Sequence, residues 1–238
     1  MTMRRILLVL LIFGTISPAA AQLFNKERLT NLENFDKRRW SWGYYIGFNQ
    51  LGFKFRYNED LNISRNTDIQ IEKQVGFNVG LMGNLRINQY VDLRLAPGMV
   101  FSQRNLVFPG FTEDRDALRD VRSTYIHIPL LVKLSTKRLN NLKPFIIGGV
   151  STSFNLSSNE TNPEDNSAGQ FRMTTNTYYY EVGLGIDLYL YYFKFTPSIR
   201  GVFAMNSELV PDADPNSPWT SNIAYMGTRG FFINFTFQ

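Results

Sequence analysis

Residues 178–206, YYYEVGLGIDLYLYYFKFTPSIRGVFAMN, decide the fold. Tyr178, Tyr180, Val182, Leu184, Ile186 and Leu188 take every second position, and Tyr179, Glu181, Gly183, Gly185, Asp187 and Tyr189 fill the gaps. After residues 190–192 the alternation restarts, with Phe193, Phe195, Pro197, Ile199, Gly201, Phe203 and Met205 on one side and Lys194, Thr196, Ser198 and Arg200 on the other. A period of two is the signature of a strand, so the stretch reads as a hairpin with one apolar face and one face of small and charged residues. Ordinary strands run about 5–6 residues, whereas a tilted strand crossing a bilayer needs roughly 9–11. The length of both halves fits the second case.

The same alternation recurs on either side. Trp42, Tyr44, Ile46 and Phe48 oppose Gly43, Tyr45, Gly47 and Asn49; the apolar positions then change parity to Leu51, Phe53 and Phe55, which predicts a β-bulge near residues 49–50. Val75, Phe77, Val79, Leu81 and Leu85 mark a second strand, and Val91, Leu93, Leu95, Pro97, Met99 and Phe101 a third, where the proline predicts a local bulge. Ile126, Ile128, Leu130, Val132 and Leu134 mark a fourth, with His127 and Lys133 opposite; residues 144–156 make a fifth, less clean because of Phe145 and Ile147. Phe231, Ile233, Phe235 and Phe237 close the chain. The connections alternate in length: residues 56–74, 103–122, 157–176 and 207–222 are long and polar, while 87–90, 135–143 and 190–192 are short or intermediate. In an up-and-down barrel alternate connections share a rim. The expected fold is therefore an all-β, eight-stranded antiparallel up-and-down transmembrane β-barrel over residues 41–238, with long extracellular loops and short periplasmic turns.

Aromatic residues fit two interfacial bands: Trp40, Trp42, Tyr90, Tyr189, Tyr191, Tyr192, Phe235 and Phe237 at the periplasmic ends, and Tyr57, Phe101, Tyr125, Phe154, Tyr178, Phe203 and Tyr225 at the other. Arg4 and Arg5, an apolar run at 6–16 and small residues up to Ala21 read as a signal peptide spanning 1–21, which places the mature chain outside the cytoplasm. Residues 22–40 are polar and mixed in charge, either a short amphipathic helix or a flexible periplasmic N-terminal arm leading into the barrel. Without Arg4 and Arg5, two of the 25 basic residues are gone and 23 face 20 acidic ones, a net charge near +3 that is too small and dispersed to imply nucleic acid. The chain has no cysteine, which removes disulfides, zinc–thiolate sites and thiol catalysis together.

Charged residues with the parity of the polar face form the candidate site: Arg86, Asp92, Arg94, Lys133, Glu181, Asp187, Lys194 and Arg200. Charges inside a narrow barrel must pair to offset desolvation, and the hairpin sets Glu181 and Asp187 beside Lys194 and Arg200. Eight strands enclose room for side chains and little more, so the expectation is an ion-paired filling, not an open pore. His127, the single histidine, shares the inward parity and is not set out toward the bilayer as a lipid-modifying base would be. No catalytic residue, cofactor, metal or small-molecule substrate is implied; the expected partners are the lipid bilayer and other proteins.

The run from Asn31 through Phe35, Asp36, Lys37, Arg38 and Arg39 into Trp42-Gly43-Tyr44-Tyr45-Ile46-Gly47-Phe48-Asn49 resembles the start of the barrel in the PorT/SprT proteins of Bacteroidota. So do Ile126-His127-Ile128-Pro129-Leu130-Leu131-Val132-Lys133 and Lys143-Pro144-Phe145-Ile146-Ile147-Gly148-Gly149-Val150. The resemblance implies an integral outer-membrane, non-enzymatic component of the type IX secretion system, which exports folded cargo and, in gliding species, surface adhesins. It carries no catalytic residues, and it makes Phe35, Asp36, Lys37, Arg38 and Arg39 candidate contacts for periplasmic partner proteins. The alternative is a general surface barrel of adhesin or ligand-binding type, unrelated to secretion.

Overall fold

The computed structural model describes residues 30–58, 68–109, 111, 113, 117–161, 171–214 and 217–238; the signal peptide expected at 1–21 and the first part of the arm lie outside them. Among the described residues a 3-10 turn, η1 (Phe35–Lys37), precedes ten strands: β1 (Trp40–Tyr57), β2 (Gln70–Lys73), β3 (Val75–Arg86), β4 (Val91–Leu95), β5 (Gly98–Val107), β6 (Leu118–Ser135), β7 (Leu142–Asn155), β8 (Asn176–Tyr189), β9 (Lys194–Ala204) and β10 (Ile223–Phe237). All pair antiparallel, and β1 closes the ring by pairing with β10 on one side and β3 on the other. β4 and β5 are halves of one stave: the register with β3 runs from Gly83↔Leu95 straight on to Gly80↔Gly98, and that with β6 from Leu95↔Leu130 to Gly98↔His127. The barrel thus has the expected eight staves, with β2 a short extra strand laid on β5 at the rim. Closure leaves no unpaired edge within the wall, the condition for a sheet to cross a bilayer.

Neither expected bulge forms. Pro97 interrupts the ladder because it has no N–H, yet no residue is inserted: Leu81 N–H donates to Pro97 O at 2.9 Å and Ala96 N–H to Pro129 O at 3.2 Å. β1 holds one register with β10 from Tyr44 to Arg56 and with β3 from Trp40 to Gln50, so nothing slips at residues 49–50. The change of parity there has another cause, an inversion of the wall. Ile46 and Phe48 face outward around inward Asn49; beyond Gln50 the outward residues are Lys54 and Arg56, and Leu51, Phe53 and Phe55 turn in. β6 does the same, with Asp120 and Arg122 outside and Val121 and Tyr125 inside before Ile126, Leu130 and Val132 take over the outer face. The lower part of the barrel is built for lipid outside and polar groups inside, the upper part for water outside and an apolar core.

The long connections lie at the upper end; the short turns, η1 and the C-terminal Gln238 lie at the lower, where Gln238 and Lys194 exchange backbone hydrogen bonds of 2.8 and 3.0 Å. Trp40, Trp42, Tyr191 and Tyr192 stand exposed at the lower interface as expected. Tyr189 and Tyr125 do not join the bands: at 1% and 3% exposed, they point into the barrel.

Space inside is set partly by glycine. Gly80 and Gly98 are paired across β3 and β5, and a Cβ on Gly98 would stand 2.2 Å from the Tyr45 hydroxyl, which reaches Ala96 O at 3.2 Å. Gly98→Val should therefore cost about 1–3 kcal/mol in barrel stability, as overpacking does. Gly148→Ala, whose new Cβ would meet nothing nearer than 3.5 Å, should be close to neutral. Urea unfolding in lipid vesicles checks both; equal effects would contradict the steric account.

Candidate functional site

All eight charged residues read as lumenal lie inside the barrel or at its lower mouth, and five of them form two buried centres. In the lower one, Lys133 Nζ of β6 meets Asp187 Oδ2 of β8 at 2.5 Å, and the Thr196 hydroxyl donates to Asp187 Oδ1 at 2.8 Å. Lys133 also lies 4.1 Å over the Phe145 ring, and the Arg94 guanidinium 5.6 Å from it, which is why Phe145 and Ile147 break the fifth strand's alternation: they face inward and wall these cations with apolar surface. In the upper centre Arg200 Nη1 pairs with Glu181 Oε2 at 2.7 Å, and His127 sits between Glu181 Oε1, 2.8 Å from Nε2, and Ser153 Oγ, 2.7 Å from Nδ1. The hairpin pairing of Glu181 with Arg200 is thus formed. Lys194 takes a different partner from the one its strand suggested: with Asp187 held by Lys133 and Thr196, its ammonium lies 4.5 Å over the ring of Phe35.

Phe35 belongs to the arm, and the arm closes the lower mouth. Asp36 Oδ1 accepts from Arg86 Nη2 at 2.7 Å and from the Tyr189 hydroxyl at 2.8 Å, while Arg86 also faces Asp92 at 3.7 Å. Phe35 packs edge-on against Tyr189, and Asn31 is tied to Asn141, Tyr189 and Arg138 of the neighbouring turns and strand. Of the five arm residues read as partner contacts, Phe35 and Asp36 are turned onto their own barrel, whereas Lys37, Arg38 and Arg39 are exposed. Burial works against the charge on Asp36, but the hydrogen bonds from Arg86 and Tyr189 outweigh it and hold this carboxyl below the ordinary carboxylate range. A carboxyl depressed in the docked state stabilises docking above its free value, and that contribution disappears as the pH falls through the docked value. Hydrogen exchange should therefore show the amides of residues 31–38 protected at neutral pH and released in acid, with Asp36→Asn releasing them already at neutral pH. Unchanged protection in the variant would mean that Phe35 and Asn31 hold the arm unaided.

His127, whose parity already pointed inward, joins this network, and further inward groups lie where the sequence pattern reads as turn or loop, among them Lys143, Arg104 and Glu208. Arg104 donates to Thr228 Oγ1 at 2.9 Å and to the Tyr125 hydroxyl, and Glu208 accepts from the Thr228 amide at 2.7 Å and its hydroxyl at 2.9 Å. Burial pushes the Glu208 carboxyl above its ordinary value. Above them Phe53, Leu106, Phe108, Val121, Met173, Leu209, Ile223 and Met226 pack into an apolar cap.

Ser153, His127 and Glu181 follow the order of a nucleophile, a base and a carboxylate. The cavities beside them are small: the one at Ser153 and His127 is ≈ 10 Å³, and another near Arg94 and Arg200 is ≈ 20 Å³, room for about one water each. What the arrangement does chemically is neutralise and hydrogen-bond buried charge, which sets the contents of the tube.

Residues 20–210 match the family model described as outer membrane protein beta-barrel domain. No curated protein matches the chain. Among solved structures it is similar to the outer membrane protein OprG from Pseudomonas aeruginosa, at 13% identity, covering 83% of this chain and 93% of that one with a TM-score of 0.43. It is also similar to Ail, the attachment invasion locus protein of Yersinia pestis, at 11% identity, covering 82% and 96% with a TM-score of 0.35. The family match spans most of the sequence and agrees with a closed eight-stave wall that is apolar outside and charged within: the chain belongs to the outer membrane protein β-barrel domain family, and it resides in the outer membrane.

Proposed function

We propose that this barrel is a non-enzymatic component of the type IX protein secretion machinery, of the PorT/SprT kind, and that it works through its surfaces. The observation that carries this reading is the filled lumen. Ion pairs occupy it, the arm covers its lower mouth and an apolar cluster caps the upper one. A tube closed at three levels is poorly suited to conduct solutes or turn over a substrate, and well suited to be a rigid anchor for partner proteins. The direction toward secretion comes from the likeness of residues 31–49, 126–133 and 143–150. Lys37, Arg38 and Arg39, which project from the docked arm, form the basic face offered to a periplasmic partner.

Deleting the gene and assaying export of folded cargo tests this. Loss of export, restored by the wild-type chain and not by one with Lys37, Arg38 and Arg39 all changed to Glu, is the expected result; intact export would overturn the reading.

One observation favours the surface-binding alternative. A cavity of ≈ 330 Å³ opens among the upper loops, lined by Tyr57, Ile69, Phe108, Phe111 and Trp219, with the last two rings stacked at 5.4 Å. Under that alternative, deletion leaves export untouched and alters what the cell surface binds.

A further inference from the structure

The inverted upper wall carries a second surface feature, on the outside. We infer that the outer face of β1, β8, β9 and β10, just above the apolar belt, is a binding site for the phosphorylated headgroup of an outer-leaflet glycolipid. Tyr180, Phe203, Arg229 and Gly52 lie in one row across these strands, each opposite the next. One step higher Lys54 stands opposite Gly227, and Arg56 opposite Tyr225. All of these but Gly52 line a groove of ≈ 410 Å³.

Its chemistry is divided by height. Below and along the floor are the Tyr180 and Phe203 rings, stacked at 5.0 Å, continuous with the exposed apolar residues Val182, Ile199 and Phe231. Above stand three exposed cations, Lys54, Arg56 and Arg229, none of which has a carboxylate within 4.0 Å among the described residues. Two outward glycines keep the floor low. Tyr225 lies down over Gly227, where a Cβ would come within 2.2 Å of its hydroxyl, and that hydroxyl is fixed on Ala204 O at 3.0 Å with the Arg56 guanidinium 4.6 Å over the ring. The Lys73 stem lies across Gly52 and adds a fourth cation at the edge.

A cluster of cations with no counter-ion among the described residues, set where the lipid-facing surface ends, calls for an anion that is itself anchored in the lipid. A phosphate on a lipid headgroup meets that requirement, since its acyl chains run down the apolar wall while the phosphate reaches the cations. A soluble protein partner would have no use for the continuity with the belt. The inference rests on the membrane assignment and not on the secretion role.

The probe is lipid A, intact and dephosphorylated, in phosphatidylcholine nanodiscs holding the full barrel, with retention read by native mass spectrometry. Wild type should retain intact lipid A on the order of a hundredfold better than a variant carrying Lys54→Gln, Arg56→Gln and Arg229→Gln, at roughly fivefold per cation. Dephosphorylated lipid A should bind both proteins equally weakly, and inorganic phosphate should not compete. Heat-modifiable gel migration establishes that the variant is folded; should it fail to fold, Arg229→Gln alone and loss of wild-type retention at high salt carry the same test. Equal retention by wild type and folded variant, retention insensitive to salt, or displacement by inorganic phosphate would each overturn the inference.

Discussion

Asp187→Ala should lower the stability of the barrel by about 3–5 kcal/mol, the cost of stranding a buried charge whose partner has been removed. Asp187 is 1% exposed and Lys133 is fully buried, so water does not replace the lost carboxylate. Arg94 and Lys194 are buried close by, and each already feels the Asp187 charge. Removing one anion therefore leaves three cations to repel one another in a low-dielectric tube, with Asp92 and, at the mouth, Asp36 as the remaining acids on that side. Asp187→Asn keeps the shape and the contact with Thr196 but should cost nearly as much, because charge is the larger part of the effect. The double change Asp187→Ala with Lys133→Met should recover most of the loss, since replacing both members of a buried pair by apolar groups is often near neutral. Unfolding in lipid vesicles followed by tryptophan fluorescence measures all three. A single-variant cost below about 1 kcal/mol, the size expected of an exposed pair, would contradict a dry lumen.

Leu184→Arg should cost about 2–4 kcal/mol if its side chain faces the middle of the bilayer. Leu184 is 58% exposed, in mid-strand on β8, between Val182 and Ile186 on the same outer face. Moving the charge to Gln50, where the outer wall turns from apolar to polar, should reduce the cost to about 0–1 kcal/mol. A soluble barrel of the same shape would show no such dependence on height, so the difference between the two substitutions matters more than either value.

These side chains also mark what the sequence made legible. Alternation identified the eight staves and which face of each turns inward, because strand geometry sends successive side chains to opposite sides. It could not reach the upper ends of the staves. Residues 51–57, 103–107 and 118–122 continue as strands, but their pattern is reversed, with Phe53, Arg104 and Val121 inside and Lys54 and Arg122 outside. Read against an apolar-out rule, residues 103–107 and 118–122 resemble loop, and the reversal at 51–55 resembles a bulge. Parity also says which side a residue faces and not at what height, so the meeting of Lys133 with Asp187, or of His127 with Glu181, depends on the stagger between β6 and β8, strands that do not touch. The arm shows the same limit: that Phe35 and Asp36 are spent on Tyr189, Lys194 and Arg86 becomes visible only when the barrel has closed and gathered those three at its mouth.

The most direct test of the membrane assignment uses the absence of native cysteine. Single cysteines placed in turn at positions 44–56 of β1 and 180–188 of β8 are scored, in reconstituted vesicles, for contact with a lipid-soluble and with a water-soluble quencher. Lipid contact is predicted at Tyr44, Ile46, Phe48, Val182, Leu184 and Ile186 with protection at the positions between, and along β1 the outward positions should pass to water contact by Lys54. Lipid contact at Glu181, Asp187 or Asn49, or no alternation at all, would contradict a charged, filled tube inside an apolar wall.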